Sequence, residues 1–162
     1  MEYSIGDKVI HWAYGLGEIT AMDEKRLAGK TRSYYVVELS DFTIWVPADE
    51  NGTQSIHPPI PHSEFNSLLE ILSDPGDELP EDRKQRQIML SQRMKNRSCE
   101  EICTIIRDLV TLSHSQKLNR NDFEVLKRAE EYLLNEWELS LGTKRLAAQE
   151  QLQNILDVRL EI

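Results

Sequence analysis

Six cations stand together in an otherwise acidic chain: Arg83, Lys84, Arg86, Arg93, Lys95 and Arg97. No acid falls among them, while Asp74, Asp77, Glu78, Glu81 and Asp82 lie just ahead. On a helix, such a block offers donors to phosphate oxygens, so a nucleic-acid backbone is the ligand it would fit. The bland alternative is a solvated helix whose last-turn cations complement its dipole. That covers Arg93, Lys95 and Arg97. It leaves Arg83, Lys84 and Arg86 at the unfavourable end, where Glu81 and Asp82 only partly offset them.

Other chemistry is thin. His11, His57, His62 and His114 are scattered, and a metal site would need them to converge with carboxylates or thiolates. Cys99 and Cys103 are four apart and share a helix face, but no second pair exists. They read as small buried apolar groups. Gly15-Leu16-Gly17 lacks the third glycine and the following helix of a dinucleotide loop, so these glycines read as turn formers. No nucleophile elbow or phosphate loop is present. No catalytic residue, metal ligand or cofactor is therefore assigned, and the chain reads as a non-enzyme. The aromatics Trp12, Tyr34, Tyr35, Phe42 and Trp45 cluster in the first third. Tyr34 and Tyr35 must face opposite sides of a strand. If Ile44 and Val46 point inward, Trp45 points out, and an exposed Trp is a typical anchor for a protein partner.

The elements that must hold these residues divide the chain. Residues 1–58 read as strands: Lys8 to Trp12, Glu18 to Met22, Ser33 to Leu39, Phe42 to Val46 and Gln54 to His57. Turn signals separate them at Tyr14–Gly17, Ala28-Gly29-Lys30 and Asp49–Gly52. Five short strands at this spacing predict a small antiparallel SH3-like β-barrel. His57-Pro58-Pro59-Ile60-Pro61 breaks the pattern, because proline neither joins a ladder nor continues a helix. Residues 62–162 then follow a helical period. Phe65, Leu68, Leu69 and Leu72 mark a first helix, and Pro80 is placed in the first turn of the basic one. Ser98 and Glu101 form a capping box ahead of Ile102, Ile105, Ile106, Leu109 and Leu112. Asn119 caps a helix with Phe123, Leu126, Leu133, Trp137 and Leu141 inward. Gly142 ends it, and a fifth helix carries Leu146, Leu152, Ile155, Leu156 and Leu160. The expected class is α+β: a small barrel, then a bundle of about five helices.

Composition sets bounds on function. The chain has 162 residues and a net charge of -9; residues 1–72 carry -6, residues 99–162 carry -4, and residues 73–98 carry +1. Taken whole, this disfavours autonomous binding to nucleic acid or anionic membranes. No apolar run approaches the ~20 residues that span a bilayer. Met1-Glu2-Tyr3-Ser4 has no basic stretch followed by an apolar one, so a cytoplasmic location is expected. A monomer without membrane contact is the default.

Taken in order, these features resemble the CarD/CdnL-like family of bacterial RNA polymerase-binding transcription regulators. The resemblance is carried by Ile5–Ile10, Tyr14–Gly17, Tyr34–Leu39 and Thr43–Ala48, then Glu101–Leu109, Lys117–Asn119 and Leu126–Ala129 with Leu133 and Glu136. It implies a Tudor-like barrel that docks on the polymerase β subunit. It also implies a helical domain that touches promoter DNA at the upstream edge of the melted region and modulates open-complex stability. Lys25, its neighbour Arg26 and Trp45 are the expected polymerase contacts. Arg83, Lys84, Arg86, Arg93 and Lys95 are the expected DNA contacts within the polymerase complex. In the family a tryptophan wedges into the minor groove; the position aligned with it here is Asp82, which cannot unstack bases. Two other readings stand beside this one. The chain could be an adaptor that binds polymerase without touching DNA. It could be a ribosome- or RNA-associated protein, since Gly-Asp-Lys-Val and the Gly-Leu-Gly turn also resemble KOW-type barrels.

Overall fold

Alternating apolar residues and turns of two or three residues build the first unit. The computed structural model describes residues 2–96 and 98–160. The chain divides into two compact units, Met1–Pro59 and Ile60–Ile162. The first holds β1 (Lys8–His11), β2 (Gly15–Leu27), β3 (Lys30–Leu39), β4 (Thr43–Pro47), α1 (Glu50–Thr53) and β5 (Ile56–His57). All pairings are antiparallel, in the order β4-β3-β2-β1-β5. That is the strand order of an SH3- or Tudor-like unit, with β5 returning beside β1. The β4 and β5 ends share no ladder among the described residues; the one-turn α1, which the sequence reading took as a turn, links them.

The β2–β3 hairpin turns on Ala28 and Gly29, with φ of 51° and 78°. Two consecutive left-handed residues match the twist of the flanking strands. This short turn fixes the register, Leu27 opposite Lys30 and Lys25 opposite Arg32. Gly15 closes the β1–β2 turn at φ 86°, as a turn former should, whereas Gly17 lies inside β2. A Cβ on Gly17 would stand 2.7 Å from Val37 Cγ1, so glycine there permits close packing across the sheet. Val9, Ile19, Tyr35, Val37, Leu39, Val46 and Ile56 form the buried face.

The second unit holds α2 (His62–Ser73), α3 (Arg83–Lys95), α4 (Cys99–Ser115), α5 (Arg120–Leu141) and α6 (Arg145–Leu160). The cap residues set their starts. Ser98 accepts from the Glu101 amide, Asn119 from the Asp122 amide and Asp82 from the Gln85 amide. Because Asp82 is the cap, α3 begins at Arg83 and Pro80 stays outside it. Gly142 closes α5 in the left-handed region at φ 65°. Phe65, Leu72, Leu90, Ile102, Ile105, Ile106, Leu109, Leu133 and Trp137 are buried in one core. Phe65 meets Trp137 edge to face at 5.4 Å.

Two expected core residues are instead exposed, Phe123 at 51% and Leu146 at 75%. Asp122 takes the inward slot of the first turn of α5, and one residue of helical rotation, about 100°, carries Phe123 outward. On α6 the buried stripe runs through Ala148, Leu152 and Leu156, which leaves Leu146 off it. The Leu160 side chain lies outside what the structure describes. No helix among the described residues is long and apolar enough to cross a membrane.

Candidate functional site

Strand alternation places a set of polar and aromatic side chains on the outer face of the β-unit. The ladder aligns Ala21, Val36 and Trp45 in one row, Asp23, Tyr34 and Pro47 in the next, and Lys25 with Arg32 beyond. Trp45 is 43% exposed, whereas its neighbour Val46 is buried in the core. The indole Nε1 donates to Asp23 Oδ2 at 3.3 Å. The Lys25 ammonium sits 4.2 Å from the centre of the Trp45 ring and 5.9 Å from that of Tyr34. On the other side Arg32 lies 5.9 Å from the Tyr34 ring and pairs with Asp49. An acceptor at its edge and a cation on its face thus hold Trp45 in one outward orientation, although such a contact is worth only about 0.5–1 kcal/mol at an exposed site.

Of the three residues expected on this face, the structure brings Lys25 and Trp45 together. Arg26 is not with them. It stands opposite Thr31, one step along β2 from Lys25, so its side chain leaves by the other face of the sheet. Sequence reasoning missed Asp23, Tyr34 and Arg32. Counting outward from the two-residue turn at Ala28-Gly29 pairs all three correctly, so the signal was present.

The basic block of α3 does not form one exposed surface, contrary to expectation. Arg83, Lys84 and Lys95 are exposed. Arg86 is 2% exposed, its guanidinium bound to Asp122 at 2.9–3.2 Å and its Nη1 donating to the Pro80 carbonyl at 2.9 Å. Arg93 donates to Glu101, to Thr104 Oγ1 at 2.7 Å and to Asp108 at 3.3 Å. Glu101 is therefore engaged by Arg93, in addition to lying at the capping-box position. Arg97 lies outside the described residues. Arg86 and Arg93 tie α3 to neighbouring helices through ion pairs with the buried carboxylates Asp122 and Asp108, which a turn toward phosphate would break. This accounts for Arg86 near the helix N-terminus, since it is there for Asp122, while Arg83 and Lys84 stay exposed in the first turn.

The network continues into the α2–α3 connection. Arg107 pairs with Asp108 and with Asp77, and the Asp77 amide donates to Asp108 Oδ1 at 2.9 Å. Gly76 lies so close to Thr111 that a Cβ there would stand 2.4 Å from its hydroxyl. The connection that leads to Asp82 is thus pinned to α4. The Asp82 carboxylate is committed to the cap of α3, accepting from the Gln85 amide at 2.9 Å.

On the surface of α3, Lys84, Ile88, Ser91 and Lys95 recur at helical spacing along one exposed ridge. A groove of about 310 Å³ runs between α3 and α5, lined by Gln87, Ser91 and Lys95 on one side and Asn121, Glu124 and Arg128 on the other. Arg128 is exposed and was not among the expected contacts. It joins Lys95 across the groove, a pairing that only the tertiary structure makes visible.

Cys99 and Cys103 are both buried. Burial pushes the Cys103 thiol up to about 12, and burial with the nearby Glu136 carboxylate raises Cys99 further. Thiolate is the reactive form, so neither is a nucleophile near neutrality. The native chain is expected to show no thiol reacting with an aromatic disulfide reagent at pH 8 over minutes, and both thiols should react in denaturant. One fast thiol in the native chain would contradict this placement. Among the described residues no group of three or more His, Cys, Asp or Glu side chains converges as a metal site would require.

Comparison with known proteins bears on both units. Residues 67–153 match the family model described as CarD, C-terminal domain, and residues 3–58 match the CarD-like/TRCF RID domain. A relative from Bacillus subtilis (strain 168), YdeB, is named as a candidate transcription factor. It is 25% identical over 142 residues, covering 86% of this chain and 93% of the relative.

Proposed function

The chain belongs to the CarD family, and we propose that it is a transcription regulator whose β-unit grips RNA polymerase while its α-unit touches promoter DNA weakly. The observation that carries this reading is Trp45, exposed and held outward between Asp23 and Lys25. An ordered aromatic flanked by charges is what a protein-binding hot spot requires, because little rotamer entropy is lost on docking. The resemblance points to the polymerase β subunit as the partner. The name of the Bacillus relative points to transcription as well.

The DNA role falls to Arg83, Lys84, Lys95 and Arg128. Lys84 and Lys95 are eleven residues apart on one helix face, a span of about 16 Å, or roughly five base-pair steps along one strand. Four such contacts on an acidic chain would bind free duplex poorly, with affinity falling as salt rises at a slope of about -0.9 per contact. Docking on polymerase raises their effective concentration to the order of millimolar, where weak contacts count. With Asp82 committed to the cap, no aromatic is offered at the wedge position, so the contact is with the backbone and does not unstack bases.

Footprinting of a promoter–polymerase complex tests this reading. The wild-type chain should extend protection at the upstream edge of the melted region, and the extension should fade with salt. Alanine at Arg83, Lys84, Lys95 and Arg128 together should abolish it while polymerase binding persists. Identical protection by that variant would remove the DNA role and leave an adaptor. The pairing of Arg86 with Asp122 and of Arg93 with Asp108 specifically favours that second reading, because it takes two cations away from the block.

A further inference from the structure

A second aromatic group lies at the β1–β2 and β3–β4 turns, where Phe42 stands three residues before Trp45. The His11 ring stacks on Tyr14 at 4.7 Å and 25°, and Tyr14 meets Phe42 edge to face at 5.2 Å and 86°. Tyr14 is 56% exposed and Phe42 48%. Two separate connections, β1–β2 and β3–β4, bring these rings together. Both are fixed by hydrogen bonds: His11 Nδ1 accepts from the Ala13 and Tyr14 amides, and the Leu39 amide donates to the Phe42 carbonyl. Core packing does not require two large rings in water at a turn.

The charge around them is mostly negative. Asp41 is exposed next to Phe42. Glu18 and Glu38 stand directly opposite each other across β2 and β3, and Glu38 stands opposite Thr43, the first residue after Phe42 in the chain. Like charges paired across strands destabilise a sheet. Lys8 reaches Glu18 at 3.4 Å, whereas Glu38 and Asp41 have no cationic partner among the described residues. Acids beside exposed ring faces repel phosphates and attract cations. We propose that the Tyr14–Phe42 end of the β-unit is a docking point for a basic, arginine-bearing segment of a partner protein. Guanidinium suits it better than ammonium, because it stacks flat on a ring while donating to a carboxylate. Its Glu38–Thr43 row is the next outward row to Val36–Trp45 on the same sheet face, and a peptide titration reads it without polymerase.

The test is an amide-shift titration of the full ¹⁵N-labelled chain with tetra-arginine, tetra-lysine and tetra-glutamate peptides at low salt. Tetra-arginine should give saturable shifts concentrated in residues 11–17 and 38–43, tetra-lysine weaker ones there, and tetra-glutamate none. Affinity for tetra-arginine should fall about threefold in Tyr14→Ala or Phe42→Ala and about tenfold when both are changed. Phe42→Leu keeps apolar bulk in the turn but removes the ring, and it should also lose about threefold while its melting curve stays that of wild type. Trp45→Ala should bind the peptide as wild type does. Shifts spread evenly over the acidic surface, an affinity unchanged in Phe42→Leu and the double variant, or no saturable binding would each overturn the proposal.

Discussion

Arg86→Ala is expected to destabilise the chain by about 3–5 kcal/mol, because it leaves the Asp122 carboxylate buried without its counter-charge. Both side chains are nearly inaccessible, at 2% and 1%. The guanidinium also binds the Pro80 carbonyl, so the same change frees the approach to α3. For a unit of about 100 residues, such a loss lowers the melting temperature by more than 10 °C. Thermal denaturation of the full chain, followed by circular dichroism, measures it. The double variant Arg86→Met with Asp122→Leu should recover most of the loss, since an apolar pair of similar volume replaces a buried ion pair at little or no cost. If Arg86→Ala melted within a few degrees of wild type, Arg86 would not hold α3 to α5 and would return to the set of phosphate contacts. The expected result carries a warning for functional work. Loss of promoter effects in an Arg86 variant would report a loosened α-unit, whereas loss in a Lys84 or Lys95 variant would report a lost contact.

Trp45→Ala is expected to weaken binding to core RNA polymerase by about 30-fold or more, the effect of losing a hot spot worth about 2 kcal/mol. Folding stability should barely change, because Trp45 points away from the buried face formed by Tyr35, Val37 and Val46. Lys25→Glu should weaken binding as well, by placing a second carboxylate beside Asp23 and removing the cation from the ring face. Arg26→Glu, on the other face of the sheet, should have a much smaller effect. Biolayer interferometry with immobilised polymerase separates these variants. Equal affinities for wild type and Trp45→Ala would exclude this face as the grip.

Much of the fold was legible because local chemistry and tertiary structure agree. Ala28-Gly29, Pro58-Pro59, Ser98, Asn119 and Gly142 each mark a boundary through their own backbone preference, and each boundary stands where they put it. Pro80 misled, because a better cap, Asp82, lies two residues on. Phe123 misled for a different reason. Hydrophobic periodicity assigns inward slots to apolar residues, yet Asp122 holds the slot once Arg86 reaches it from α3. That pairing is 36 residues apart in sequence, and no local signal announces it. The same blindness made the basic block look like a surface. Charge counting cannot tell an arginine facing water from one facing a buried carboxylate, so Arg86 and Arg93 were grouped with Arg83, Lys84 and Lys95. Arg128 was overlooked because its neighbour across the groove, Lys95, lies on another helix. On the β-unit, alternation set Tyr34 against Tyr35 and Trp45 against Val46, but which of each faced outward was decided only by the core that takes Tyr35 and Val46.

The most direct test of the polymerase-gripping face is photocrosslinking from its centre. Benzoylphenylalanine in place of Tyr34, in the full-length chain, should crosslink in native lysate chiefly to the β subunit of RNA polymerase, and the adduct should disappear when Trp45→Ala is combined with it. The same probe in place of the exposed Leu146 on α6 serves as the control and should give no such adduct. A Tyr34 probe that captured ribosomal components, or that captured polymerase equally well with and without Trp45, would contradict the account.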